Sequence, residues 1–446
     1  MKKERSMRTR NLQGISRTIV NRRDTFKIAG GGAAALAGAH RFLRAGSAQD
    51  SEVTLRYQNH WTKDTDAHYE GMNWLYDAFA KAHPNIHIQN ILNPDSEESD
   101  KKILADCAAG DCPDIIHDAN ATMWDAGYLL DLTPYLDADP EWKAILDPNV
   151  LGTTTTDGKT WALSGEVSPL PTIWNTRILE DAGVTAVPKT WDELLAACEA
   201  IKAKGYTPTS WEVGGHHQWH NILASQAGGL DAVAANKFDS PQHLEAFNRL
   251  KVFVDNKWVP DNEIELTWQQ SVGLFVAEQS AFYLNGAWTI GNEITGEGAA
   301  PDLKDNVEFA PYPAVAENGS TVETKQTTGI GLAAALADDE AKLNGALTFM
   351  KFWFSDEGAK QWILLTRSPM GVNVDLATLE GVDPLLLAFL GAKDSAKTPY
   401  ALPGTKAMQE RGWDDCATGL DTLLSGGTAE AAVEAYLQEM SKYTTA

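Results

Sequence analysis

VTLRYQNHWTKDTDAHYEGMNWLYDAFAKAHPNIHIQNI, residues 53–91, reads as strand, helix, strand. Val53-Thr-Leu-Arg-Tyr57 alternates apolar and polar residues, the period of a half-buried strand. From His68 to Ala82, Met72, Leu75, Tyr76 and Phe79 recur at helical spacing, and Pro84 ends the run. Ile86 to Ile91 alternates again. Ser99 to Ala109 carries Ile103, Leu104 and Cys107 on one helical face, and Pro113-Asp-Ile-Ile116 reads as a short buried strand. This βαβαβ order predicts an α/β lobe with a mainly parallel sheet. Ligands of such sheets bind beyond the carboxyl ends of the strands. The loops Asn59–Asp66 and His117–Thr122 therefore stand at the expected ligand edge.

Upstream, residues 1–48 are basic, then small and apolar, then polar. Arg22-Arg23-Asp24-Thr25-Phe26-Lys27 leads into a glycine-diluted apolar run from Ile28 to Ala39, and Gly46-Ser-Ala48 offers the small residues a signal peptidase reads. The pattern is similar to a twin-arginine export signal; Thr25 departs from it, standing where a hydrophobic residue is usual. The expectation is a signal peptide over 1–48 and export to a periplasm-like space. With no Cys near residue 48, a lipoprotein is not expected. Residues 1–48 hold 11 Lys and Arg against two acids, so their removal takes the net charge from −24 to −33. Such a surface repels nucleic acid and anionic lipid and favours a monomer. No apolar run reaches the ~18 residues of a spanning helix.

Of four cysteines, Cys107 and Cys112 bracket Ala-Ala-Gly-Asp, where a local disulfide and two free thiols are equally open readings. Cys198 and Cys416 read as buried thiols on helices. Downstream, Asp157 to Arg177 is a strand passing out of one lobe into another. Thr190-Trp-Asp-Glu193 has capping-box spacing for a helix running to about Lys204. Val307–Ala310 and Gly329–Ala334 read as strands, Glu340–Trp353 as an amphipathic helix, and Lys406–Lys442 as helical with a break at Ser425-Gly-Gly-Thr428.

Six segments in order resemble the family of extracellular solute-binding proteins that includes maltose-binding protein. They are Cys112–Ile116 with Gly127–Tyr135, Trp161-Ala-Leu163 with Trp174-Asn175, Val187–Leu194, Asn285-Gly-Ala-Trp288, Lys351–Gly358, and Leu423–Gly426 with Ala429–Ala432. The resemblance spans nearly all of 49–442. It implies an α/β, two-lobed periplasmic-binding-protein fold of type II, with discontinuous lobes that close on a ligand about hinge crossings. The expected first lobe is 49–165 plus 311–355, and the second 166–310 plus 356–446. It further implies the substrate-binding component of an ABC importer, with a sugar or polyol as ligand and a membrane permease as partner.

A sugar offers apolar C–H faces and a ring of hydroxyls, which call for flat aromatic rings and for carboxylates or amides. The resemblance puts Trp288 and Trp413 where the family stacks sugar rings. Trp61, with Asn59, His60 and Asp64 beside it, is a first-lobe candidate, and Asp118 and Asn120 take the position of hydroxyl-binding groups. Glu166 stands near the first crossing. Trp211, His217 and Trp219 lie on the stretch that supplies a second-lobe aromatic, and Arg367 either touches the ligand or pairs with an acid. Fifteen tryptophans and a surplus of acids would also suit a quaternary ammonium or polyamine. A secreted glycan-active enzyme is the third reading.

No catalytic constellation stands out. A Gly-x-Ser-x-Gly elbow is absent, and Gly329-Ile-Gly lacks the third glycine of a dinucleotide fingerprint. His216 and His220 have the i,i+4 spacing of a metal pair, but no third ligand follows at a suggestive distance. No cofactor and no metal are expected.

Overall fold

The computed structural model describes residues 52–62, 67–93, 96–211, 216–229, 241–296, 298–315, 320–401 and 412–444. Residues 1–48, the expected signal peptide, lie outside these residues. In chain order the elements begin with β1 (Val53–Asn59), α1 (His68–Ala82), β2 (Ile86–Leu92), α2 (Ser96–Ala108), β3 (Ile115–Ile116) and α3 (Ala121–Asp125). Next come β4 (Ala162–Leu170), β5 (Thr172–Asn175), α4 (Trp191–Ala203), β6 (Thr207–Thr209), α5 (His216–Ala224), α6 (Pro241–Asp255), α7 (Trp268–Val276) and β7 (Ser280–Leu284). The chain then forms β8 (Val307–Ala310), β9 (Thr321–Leu332), α8 (Glu340–Trp353), α9 (Asp356–Thr366), α10 (Pro384–Ser395), β10 (Thr398–Ala401), α11 (Gly412–Leu424) and α12 (Ala429–Thr444).

Two larger sheets result. The first has the order β10-β9-β3-β1-β2, with β4 also paired to β9. β1 runs parallel to β2 and β3, as the alternation at 53–116 predicts, while β9 lies antiparallel to β3 and β4. The second has the order β8-β5-β7-β6, with β5 antiparallel to both neighbours. Among the described residues, no helix is long and apolar enough to cross a membrane.

Each sheet has its own core. Leu55, Tyr57, Leu75, Phe79, Ile115, Leu163, Ile330, Phe349 and Trp353 fill the first. Trp174, Leu194, Trp211, Trp219, Phe253, Phe282, Leu420 and Tyr436 fill the second. A third group, including Ile173, Phe275, Tyr283, Leu386 and Phe389, packs the other face of the second sheet. Neighbouring residues Ile173 and Trp174 thus point into different cores, the two-residue period of a strand buried on both faces.

Local chemistry starts and stops these elements as the sequence demands. Thr190 and Glu193 form the capping box of α4: Thr190 Oγ1 accepts from Glu193 N at 3.3 Å, and Glu193 Oε2 accepts from Thr190 N at 3.2 Å. Gly71 lets α1 cross α9 closely, since a Cβ there would lie 2.9 Å from Trp362 Cε3. Cys107 and Cys112 are joined, stapling the end of α2 to the approach to β3.

The chain passes from the first sheet to the second between β4 and β5. Ser168 still faces Lys325 of β9, and Thr172 already faces Leu284 of β7 and Ala310 of β8. Pro169, Leu170 and Pro171 lie between. The crossing therefore comes a few residues later than the expected 165. The return runs from β8 to β9. Beyond the expected boundary at 355, Ala359 and Trp362 pack in the first core, while Ile363 of the same helix packs in the third. Helix α9 sits between cores: Ala359 and Trp362, three residues apart, share one face, and Ile363, about 100° further round, points to another.

Candidate functional site

Strand β4 is the hub. Its Glu166 Oε1 lies 3.0 Å from His68 Nε2 at the start of α1, and the same nitrogen lies 3.0 Å from Ser368 Oγ. Val167 N donates to Pro369 O at 2.8 Å, and Gly371 N donates to Ser164 O at 2.8 Å. Ser168 Oγ accepts from Ala287 N at 2.8 Å, in the turn after β7. The crossing strand thus holds α1, the segment after α9 and the β7 turn together.

That turn carries Trp288. Its ring folds over Gly286, leaving no room for a side chain there, and remains half-buried. Asn285 Oδ1 accepts from Gly286 N at 2.9 Å, fixing the bend. The next segment, the π-helical turn Ile290–Ile294, meets the other sheet's α1: Asn292 Oδ1 accepts from Ala67 N at 2.5 Å. Gly291 permits the approach, since a Cβ would lie 2.7 Å from Ala67 Cβ. Trp288 therefore stands where the two sheets' segments come together.

On the first sheet, the carboxyl ends of β1 and β3 bring His60, Trp61, His117 and Asp118 side by side. Trp61 is only 3 % exposed and lies flat on His68, with Trp353 and Trp362 around it. The first-lobe candidate Trp61 therefore packs as a core residue. His117 Nδ1 and Tyr57 Oη are 2.7 Å apart. Asp118 takes a left-handed φ of 51°, which turns its carboxylate back: Oδ2 lies 3.5 Å from His60 Nδ1 and 3.6 Å from His117 Nε2. Both imidazole nitrogens are buried and lack a hydrogen-bond partner. Burial, then the adjacent His60 and His68, holds the His117 imidazole well below its usual range, so the ring is neutral at pH 7. Burial, then Tyr76 and Asp118, raises the Tyr57 phenol.

The remaining candidates divide. Asn120 caps α3, its Oδ1 accepting from Met123 N, which commits its carbonyl to the backbone. Glu166 is buried against His68 and so serves the hub rather than an open surface. Trp211 and Trp219 are fully buried in the second core with Phe253, Phe282 and Tyr312, so neither offers a ring to a ligand; bulk apolar burial wins at both. Arg367 pairs with an acid, its Nε donating to Asp383 Oδ2 at 2.6 Å. Asp64 and the side chains of His217 and Trp413 lie outside the described residues. His220, whose metal-pair spacing with His216 is set aside for want of a third ligand, stacks on His243 in the second core, with Nε2 3.2 Å from His243 Nδ1. Reading the sequence singly missed the convergence of His60 and His117. Its available signal was that each directly follows a strand of one parallel sheet.

Two α/β sheets with separate cores, joined by β4–β5 and by β8–β9, define a two-lobed periplasmic-binding-protein fold of type II. The model of the bacterial extracellular solute-binding protein family matches residues 65–360, and the chain belongs to that family. A multiple sugar-binding protein of Streptococcus mutans is 24% identical over 356 residues, covering 74% of this chain and 78% of the relative. Among solved structures, a chitin oligosaccharide binding protein superposes with a TM-score of 0.77 at 23% identity, covering 89% of this chain and 100% of that one. The GacH receptor of Streptomyces glaucescens, studied unliganded and with acarbose, gives 0.72 at 20% identity over 88% and 98% of the two chains.

Proposed function

We propose that this protein is the extracytoplasmic binding component of an ABC importer and that it holds a sugar or sugar-like polyol between its lobes. Each lobe is taken as one sheet with its core, and closure bends the β4–β5 and β8–β9 crossings. The observation that carries the reading is Trp288. Trp61, Trp211 and Trp219 are buried in cores, whereas Trp288 is half-buried on a turn pinned to the crossing strand through Ala287 and Ser168. A flat ring at a lobe junction suits the apolar face of a sugar, and Trp413 is taken as a second such ring. The names of the Streptococcus mutans relative and of the chitin oligosaccharide binding protein support a carbohydrate ligand. Binding favours the closed form by differential affinity, and the closed form docks on a permease. Residues 1–48 act as the twin-arginine-type signal, and the exported protein diffuses freely as a monomer.

The test is calorimetric titration of the chain with mono-, di- and oligosaccharides, polyols and betaine-type cations. Saturable binding of one carbohydrate, weakened by Trp288→Ala without loss of fold, is expected. Binding of cations alone would overturn the sugar assignment, and turnover of a glycoside would replace binding by catalysis.

A further inference from the structure

His60, His117 and Asp118 form a group in which a hydroxyl-binding role for Asp118 leaves the two imidazoles unexplained. Among the described residues, they are the three histidine, cysteine or acidic side chains that converge closely enough to share an ion, their donor atoms all within 4.8 Å of one another. His117 is fully buried, yet its Nε2 has no hydrogen-bond partner, and neither does His60 Nδ1. Buried polar atoms are ordinarily hydrogen-bonded, so two orphaned nitrogens facing one carboxylate require an explanation.

We propose that His117 Nε2, His60 Nδ1 and Asp118 Oδ2 bind a divalent transition metal of the zinc class, at the carboxyl ends of β1 and β3. Three arguments support the assignment. The donor set is two imidazoles and a carboxylate, the ligand types zinc takes when three protein groups leave a fourth position to water. Tetrahedral ligands at zinc bond lengths stand about 3.3 Å apart. The carboxylate lies 3.5 and 3.6 Å from the two nitrogens, and all three donors lie within 4.8 Å of one another, so side-chain rotation that draws the imidazoles together closes the site. Finally, His117 Nδ1 already has Tyr57 Oη at 2.7 Å. With an ion bound, Nδ1–H would donate to that oxygen and leave the Nε2 lone pair to the metal, the outer partner a metal-bound histidine requires. His60 and Asp118 are 19% and 17% exposed, which gives the ion an entry path. The inference does not depend on the ligand being a sugar.

The full-length chain, freed of metal by chelator and dialysis, is titrated with Zn2+ against a chromogenic chelator, and with Co2+ followed by visible absorption. One ion per chain and the bands of tetrahedral cobalt are expected. Asp118→Asn preserves the left-handed backbone that Asn also tolerates, and His60→Gln alters a partly exposed ring; each is expected to weaken zinc at least tenfold with circular dichroism unchanged. Tyr57→Phe, a change at a positioning residue, is expected to weaken it by about 10–100-fold while the cobalt bands persist. Absence of stoichiometric zinc binding, or equal binding in the parent and Asp118→Asn, overturns the site.

Discussion

Trp61 lies flat on the imidazole of His68, ring centroids 4.5 Å apart and planes 12° from parallel. His68 in turn reaches Glu166 on the crossing strand. Trp61 also touches Trp362 of α9, so one ring links the β1 loop, α1 and α9. Its truncation is therefore a stability lesion. Trp61→Ala is expected to cost about 3–5 kcal/mol, measured by urea unfolding. A loss under 1 kcal/mol with weakened ligand binding would return Trp61 to the ligand surface.

Glu166 gives a second, sharper contrast. Glu166→Ala takes from the buried His68 Nε2 one of its two partners and is expected to cost about 1–3 kcal/mol. Glu166→Gln keeps an oxygen toward His68 and is expected to cost about 1 kcal/mol. Equal losses in the two variants would show that packing volume, not the hydrogen bond, is what matters there.

The Cys107–Cys112 bridge closes a short loop, five residues apart in sequence. Loop-closure entropy for that length gives about 2 kcal/mol. Reduction, or the Cys107→Ser/Cys112→Ser pair, should lower stability by that amount. Unchanged unfolding midpoints with and without reductant would mean that the bridge does not form in solution.

Asp139 caps the short helix Pro140–Ile145, its Oδ1 accepting from Trp142 N at 3.1 Å, and its Oδ2 accepts from Lys351 Nζ at 2.7 Å. The lysine hydrogen bond, then the Trp142 N–H, lowers its carboxyl from the ordinary value near 3.8. A folded value below the unfolded one stabilises above the unfolded value and ceases to as pH falls through the folded one. Asp139→Ala is expected to cost about 1 kcal/mol at pH 7 and progressively less below pH 3.8. A penalty that stays constant down to pH 2 would remove the carboxylate from the explanation.

Much of the fold was legible because short-range chemistry dictates it. Met72, Leu75 and Phe79 face the core of α1, and the helix spans the residues their spacing predicts. β3 is shorter than Pro113–Ile116 because proline lacks a ladder donor. The N-terminal two-thirds of β9 was missed, since Thr-Val-Glu-Thr-Lys-Gln-Thr-Thr carries too few apolar residues to announce a strand; partners β10 and β4 complete it. The tryptophans were the least legible. Trp211 and Trp288 carry the same side chain, and only tertiary packing makes one core and leaves the other half-buried. The approach of His60 to His117 depends on β1 and β3 being neighbours, a relation between residues 57 positions apart.

Pro169 and Pro171 flank the point where β4 leaves the first sheet and β5 enters the second. Neither has an N–H to lend a ladder. Neither sheet can therefore extend its ladder through the joint into the other. The pair act as chain-stops, so each sheet ends its own ladder at the seam and the two stay separate hydrogen-bonded units along one continuous strand.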